Sequence, residues 1–162
     1  VLAVWGPLMV GGGYYVITGE WSHHVAVASI AYALGPTAVL FGKHIDKLDA
    51  DSAKSIRTLP VILGERNSRY TVLGMLVAQF AVIAYLVAIG YFTPAMLIPF
   101  AAVPSLRRVF ATYQHPRPKQ APPELPKGVW PLYFVAVTFW YNRRFGILFL
   151  VGLLGDILLS RL

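Results

Sequence analysis

Val72-Leu73-Gly74-Met75-Leu76-Val77-Ala78-Gln79-Phe80-Ala81-Val82-Ile83-Ala84-Tyr85-Leu86-Val87-Ala88-Ile89-Gly90-Tyr91-Phe92 carries no charged side chain over 21 residues. An α-helix needs roughly 17–25 such residues to cross a bilayer. The core helix of a soluble protein could also be this apolar, but it would alternate with polar segments long enough to cover it. Here Val1–Gly19 and Val25–Gly42 are apolar blocks of the same kind, and the chain is 57% hydrophobic and only 13% charged. Soluble domains carry about 25% charge. An unshielded chain of this composition requires lipid as its solvent, and in lipid the backbone must satisfy its own hydrogen bonds. The expected fold class is all-α, a multi-span transmembrane helical bundle forming a single domain over residues 1–162.

Five spans fit the blocks: Ala3–Ile17, His24–Gly42, Thr71–Phe92, Ala95–Tyr113 and Phe145–Leu159. The second contains Gly35-Pro36, where proline removes a helix hydrogen bond and predicts a kink. In the first, Gly11-Gly12-Gly13 permits close helix approach or leaves a cavity wall open. The last apolar stretch, Val129–Leu159, is interrupted by Asn142-Arg143-Arg144. As one helix its 31 residues would be about 46 Å long, against a hydrocarbon core of ~30 Å. Two arginines at the bilayer centre are expensive, so an interfacial or re-entrant segment is expected up to Tyr141, with a span beginning at Phe145. Between spans lie a polar segment, residues 43–70, and a proline-rich loop, residues 114–128, whose Pro116, Pro118, Pro122, Pro123 and Pro126 exclude a helix.

Charge then orients the bundle. Of 14 lysines and arginines, all but Arg161 fall on one side of the five-span alternation, which predicts a cytoplasmic location for residues 43–70 and 114–128 and an external C-terminus. The net charge of +7 is thereby a membrane-orientation signal; no nucleic-acid module is present. The absence of cysteine excludes disulfides. His23 and His24 lie at the opposite turn and read as interfacial residues. The start at Val1, without methionine or a basic leader, reads as an N-terminally incomplete chain.

Chemistry concentrates in Lys43-His44-Ile45-Asp46-Lys47-Leu48-Asp49-Ala50-Asp51. The chain has seven carboxylates, and Asp46, Asp49 and Asp51 fall within six residues. Such a cluster repels itself unless a cation intervenes, and hard divalent ions such as Mg²⁺ take oxygen ligands. The expected metal ligands are Asp46, Asp49 and Asp51. Lys43, Lys54 and Arg57 are interleaved with them and suit an anion sharing the metal, above all a diphosphate. At the edge of an apolar protein, that combination points to a lipid diphosphate. A solvated loop marking the membrane edge is the plainer reading of the same acids. A cation-coupled transporter is a further alternative, but it would place ionisable groups within its spans.

Arg57-Thr58-Leu59-Pro60-Val61-Ile62-Leu63-Gly64 follows the acids, and with them it resembles the second aspartate-rich motif of the UbiA superfamily of intramembrane prenyltransferases. Gly6-Pro7-Leu8-Met9-Val10, Gly13-Tyr14-Tyr15 and Thr18-Gly19-Glu20 also look like the branch that prenylates dihydroxynaphthoate. The resemblance implies the last five helices of a nine-helix fold. It implies transfer of a polyprenyl group from its diphosphate to an aromatic acceptor, with Mg²⁺ as cofactor, in quinone-type biosynthesis at the inner membrane of a prokaryote. The family's first motif, Asn-Asp-x-x-Asp-x-x-x-Asp, is not among these residues, so an inactive scaffold is the other outcome. The acids depart from the family spacing, with Lys47 where many relatives carry another acid, and Asp51 matches best.

Overall fold

The computed structural model describes residues 1–123 and 125–161, and among them there is no strand. A π-helical stretch, Val4–Gly11, runs into α1 (Gly12–Thr18). α2 (His23–Asp46), α3 (Leu48–Ala53) and α4 (Leu59–Ala88) follow. A 3₁₀ stretch, Pro94–Ala102, leads into α5 (Val103–Gln114), and α6 (Tyr133–Leu159) completes the bundle. α2 packs between α4 and α6, with the N-terminal π-helical stretch on its remaining side.

Two helices, His23–Asp46 and Leu59–Ala88, are long and apolar enough to cross a membrane. The 24 residues of α2, and the 24 of α4 that follow its break at Gly64, each give a length of about 36 Å. The helices alternate in direction, so the chain gathers at two ends. At the acid end, the C-termini of α2 and α5 meet the N-termini of α4 and α6. At the opposite end, His24 stacks on Tyr91 at 4.9 Å, and the Thr93 amide donates to Asp156 Oδ1 at 2.6 Å. Asp156 thus caps the start of the 3₁₀ stretch, whose first amides lack partners within the helix.

The core is one cluster of aromatic and aliphatic side chains that includes Leu76, Phe80 and Ile83 of α4 and Phe145 and Phe149 of α6. Phe80 sits edge-on to Phe145 at 5.6 Å, a favoured aromatic geometry. One polar group is fully enclosed there. Gln79 Nε2 donates to the Ala31 carbonyl at 3.0 Å, and Tyr141 donates to Gln79 Oε1 at 3.5 Å. A glutamine in an apolar span is thus satisfied by its neighbours, as burial demands.

Helix α6 corrects one expectation. It is a single α-helix of 27 residues that runs through Asn142-Arg143-Arg144, without a re-entrant segment before Phe145. Its backbone bonds are local, and both arginines are exposed, Arg144 at a hollow shared with α5, so a continuous helix accommodates them by side-chain placement. The segment 43–70 also differs from an open loop: α2 runs to Asp46, α3 follows directly, and α4 begins at Leu59. Of the glycine triplet, only Gly11 is closely approached, by the Trp21 ring; Gly12 and Gly13 face open space.

Gly64 explains why the Thr-Leu-Pro-Val segment ends in glycine. Its φ of 77° and ψ of 163° break α4 after the first turn, a conformation open essentially to glycine alone. Ser68 Oγ spans the break by donating to the Pro60 carbonyl at 3.4 Å. A β-carbon at Gly64 would meet no atom within 4 Å, so the constraint is conformational and not steric crowding. Gly64→Ala is expected to cost about 1–3 kcal/mol, read as a lower thermal midpoint in detergent or lipid.

Candidate functional site

The acid end is built by a change of direction after α2. Lys47, at φ −105° and ψ 9°, leaves helical geometry, and α3 restarts with Asp49 and Asp51 in its first turn, where acidic side chains favour the helix dipole. The connector then folds back on α3, with the Ile56 amide donating to the Asp51 carbonyl at 2.9 Å. Lys54 and Arg57 are exposed on that connector, and Lys43 is exposed one turn before the end of α2.

The three aspartates do not converge. Among the described residues, no three histidine, aspartate or glutamate side chains stand close enough to hold one metal ion. Asp46 is 5% exposed, and both its carboxylate oxygens are engaged. Oδ1 accepts from the Phe134 amide at 3.0 Å and Oδ2 from the Val135 amide at 2.9 Å. Asp46 is the N-terminal cap of α6, supplied from another helix. Asp51 takes a different partner: its Oδ2 lies 3.1 Å from His44 Nδ1, with side-chain exposures of 14% and 29%. Asp49 is exposed and lines a hollow of about 350 Å³ with Glu65, Arg117, Lys119 and Trp130.

Several of these residues were not apparent as site residues from sequence. Arg117, within the proline-rich loop, donates through a guanidinium nitrogen to the Asp46 carbonyl at 2.7 Å, and its guanidinium sits 4.9 Å from the Trp130 ring centre. Its amide donates to Glu65 Oε1 at 3.2 Å, and Glu65 pairs with Arg69 at 3.3 Å. Arg69 continues the chain of contacts by donating to the Tyr113 carbonyl at 2.9 Å. Tyr113 is buried, with its hydroxyl 2.6 Å from Thr138 Oγ1. These contacts tie α2, α4, the loop, α5 and α6 into one polar floor beneath the acids. Local sequence gives one hint of it: α6 begins after Leu132, which has no side-chain acceptor, so its amides need a cap from elsewhere.

A second hollow, of about 430 Å³, lies beside the first helix between α2 and α6. Its α2 wall is Tyr32, Pro36, Val39, Leu40 and Lys43, an i, i+4, i+7, i+8, i+11 series that follows one helical face. Trp5, Val135 and Phe139 add apolar surface, and Asn142 is the polar residue of the α6 wall. Pro36 has no amide to offer the Tyr32 carbonyl, which loosens α2 along this wall. Its walls are mainly apolar, and its α2 face ends in a cation three residues before Asp46.

A buried polar atom at the acid end has no partner among the described residues. Thr58 Oγ1, between the acidic helix and α4, is buried without a hydrogen-bond partner. An orphaned buried hydroxyl costs about 1–3 kcal/mol and offers a hydrogen bond to an oxygen-rich ligand. Carboxylates, a hydroxyl and cations are the donor types that a divalent ion and a diphosphate take together, and Asp49, Asp51, Lys54, Arg57 and Thr58 supply them on α3 and the connector after it. No curated protein and no solved structure gives a significant match to this chain. The family model of UbiA prenyltransferases matches residues 1–125, and the chain belongs to that family.

Proposed function

We propose that this chain forms part of a membrane enzyme moving a polyprenyl group from its diphosphate to an aromatic acceptor, in quinone-type biosynthesis. The family is one of membrane prenyltransferases. The observation that carries the finer reading is the apolar chamber whose α2 wall ends at Lys43, three residues before Asp46. The hydrocarbon tail would lie along Tyr32, Pro36, Val39 and Leu40, with its diphosphate toward Lys43, Lys54 and Arg57. Asp49 and Asp51 would hold Mg²⁺, with the Thr58 hydroxyl donating to a phosphate oxygen. Asp46 is assigned to the scaffold, since both its oxygens already accept amides.

The chemistry follows from charge. The allylic carbon–oxygen bond breaks, and the electron pair leaves with the diphosphate. Mg²⁺, when bound, neutralises charge on that leaving group. Lys43, Lys54 and Arg57 contribute fixed positive charge where negative charge develops. The apolar walls keep water from the allylic cation. An electron-rich ring carbon of the acceptor then bonds to it, and the ring loses a proton. Dihydroxynaphthoate is the acceptor that the first-helix likeness favours.

The test uses the full-length protein in lipid vesicles with a labelled prenyl diphosphate and dihydroxynaphthoate. Transfer is expected with Mg²⁺, lost on chelation and restored by adding the ion back. Activity that survives chelation would overturn the metal reading, and no transfer to any aromatic acceptor would favour the scaffold. The five-span arrangement has its own check. Cysteines placed at Ser22 and Ser52 should label from opposite sides of the membrane, with Ser52 cytoplasmic; labelling from one side would refute it.

A further inference from the structure

Between α5 and α6, away from the acids, lies a third hollow of about 400 Å³. Arg108 and Arg144 line it from the two helices, with Ser105 beside Arg108 and with Trp140 and Tyr141 beside Arg144. Both arginines are exposed, and among the described residues neither forms an ion pair with a carboxylate. Tyr141 is 2% exposed and closes the inner wall, while Trp140 is 41% exposed at the margin.

The depth of this hollow matters. α6 starts at Tyr133, beside Asp46, so Val137 and Arg144 lie about 6 and 16 Å along it from the acid end. In a membrane protein, arginines at that depth are costly unless an anion or a polar cavity meets them. Their side chains are long enough to reach back toward the headgroup level. Basic pockets between membrane helices recognise phosphate headgroups, and a guanidinium fork matches phosphate oxygens in a bidentate manner. A tryptophan at the margin suits the boundary between headgroup and acyl chain.

We infer that the hollow bounded by Arg108, Ser105, Trp140 and Arg144 binds the phosphate of an anionic phospholipid from the leaflet at the acid end. The two guanidinium groups engage the phosphate, Ser105 supplies a neutral hydrogen bond, and the acyl chains run along the apolar exterior of α5 and α6. This site is separate from the chamber along α2, and its occupancy does not depend on the chain's catalytic assignment.

The test uses the full-length protein in nanodiscs of phosphatidylcholine with a stepped fraction of phosphatidylglycerol. Retained phosphatidylglycerol is counted by native mass spectrometry. Arg108→Gln with Arg144→Gln should weaken retention about 30-fold or more, the scale of losing two charge-assisted guanidinium–phosphate contacts. Arg107→Gln with Arg143→Gln removes the same charge from neighbours outside the hollow, and should weaken retention at least about fivefold less than the Arg108 and Arg144 pair. Arg108→Lys with Arg144→Lys keeps the charge, guards against a folding failure, and should retain more lipid than the glutamine pair. Equal losses in the two glutamine pairs would reduce the effect to general charge attraction and overturn the site. No loss in either would overturn it as well. Displacement of the lipid by a soluble short-chain prenyl diphosphate, abolished by the Arg108 and Arg144 changes, would assign the hollow to the substrate instead.

Discussion

Asp51→Asn should lower prenyl transfer by the full-length enzyme at least ~100-fold, equivalent to about 2.7 kcal/mol of transition-state stabilisation. The asparagine keeps the size of the side chain and can still hydrogen-bond His44, whose Nδ1 lies 3.1 Å from Asp51 Oδ2. What it loses is the negative charge that a divalent ion requires. Thermal stability should therefore change little while activity collapses. His44→Ala supplies the comparison. If Asp51 serves only to tether α3 to α2, removing His44 should be as harmful as removing the charge. If Asp51 holds the metal, His44→Ala should cost roughly 10-fold, the low end for a lost positioning partner. Equal losses in the two variants, or near-normal transfer by Asp51→Asn with expression verified, would remove Asp51 from the metal site.

Much of the architecture is legible from hydrophobic blocks, because in lipid a 20-residue apolar run has few conformations open to it. Val72–Phe92 falls in a helix up to Ala88, and His24–Gly42 lies wholly within α2. The misreading of Val129–Leu159 has a physical cause. Two arginines within the apolar stretch do not oblige the backbone to break, because α6 stays intact with both side chains exposed. A long flexible cation can relocate its charge by several ångströms without disturbing a helix.

The acid cluster is visible in composition, but the partners of its members are not. Three aspartates within six residues suggest one focus, yet the turn at Lys47 sends them to different partners. Asp46 reaches Phe134 and Val135, which are 88 and 89 residues away. Asp51 reaches back to His44, and Asp49 opens toward Glu65, Arg117 and Lys119. Contacts at such separations leave no local spacing pattern. Arg117 was hidden for the same reason, since five prolines around it describe an extended loop and say nothing of where the loop is anchored.

Asp46→Ala is expected to destabilise the protein by about 3 kcal/mol, because it leaves two amides at the start of α6 without acceptors in a buried setting. The Phe134 side chain is fully buried and the Asp46 carboxylate is enclosed with it, so water cannot replace the lost partner easily. Asp46→Asn should be only partly better, since a carboxamide offers one acceptor oxygen where the carboxylate offers two. The decisive readout is the Mg²⁺ dependence of whatever activity remains. As a helix cap, Asp46 influences how much protein is folded and how firmly α6 is seated against α2. In that role the half-saturating Mg²⁺ concentration should stay within about twofold of the parent, although the thermal midpoint and the maximal rate both fall. Asp51→Asn should show the opposite pattern, with normal stability and a rise of roughly 10-fold or more in the Mg²⁺ requirement of its residual activity. A comparable rise in Asp46→Ala would return Asp46 to the ligand set, and would require α6 to give up its cap whenever the metal binds.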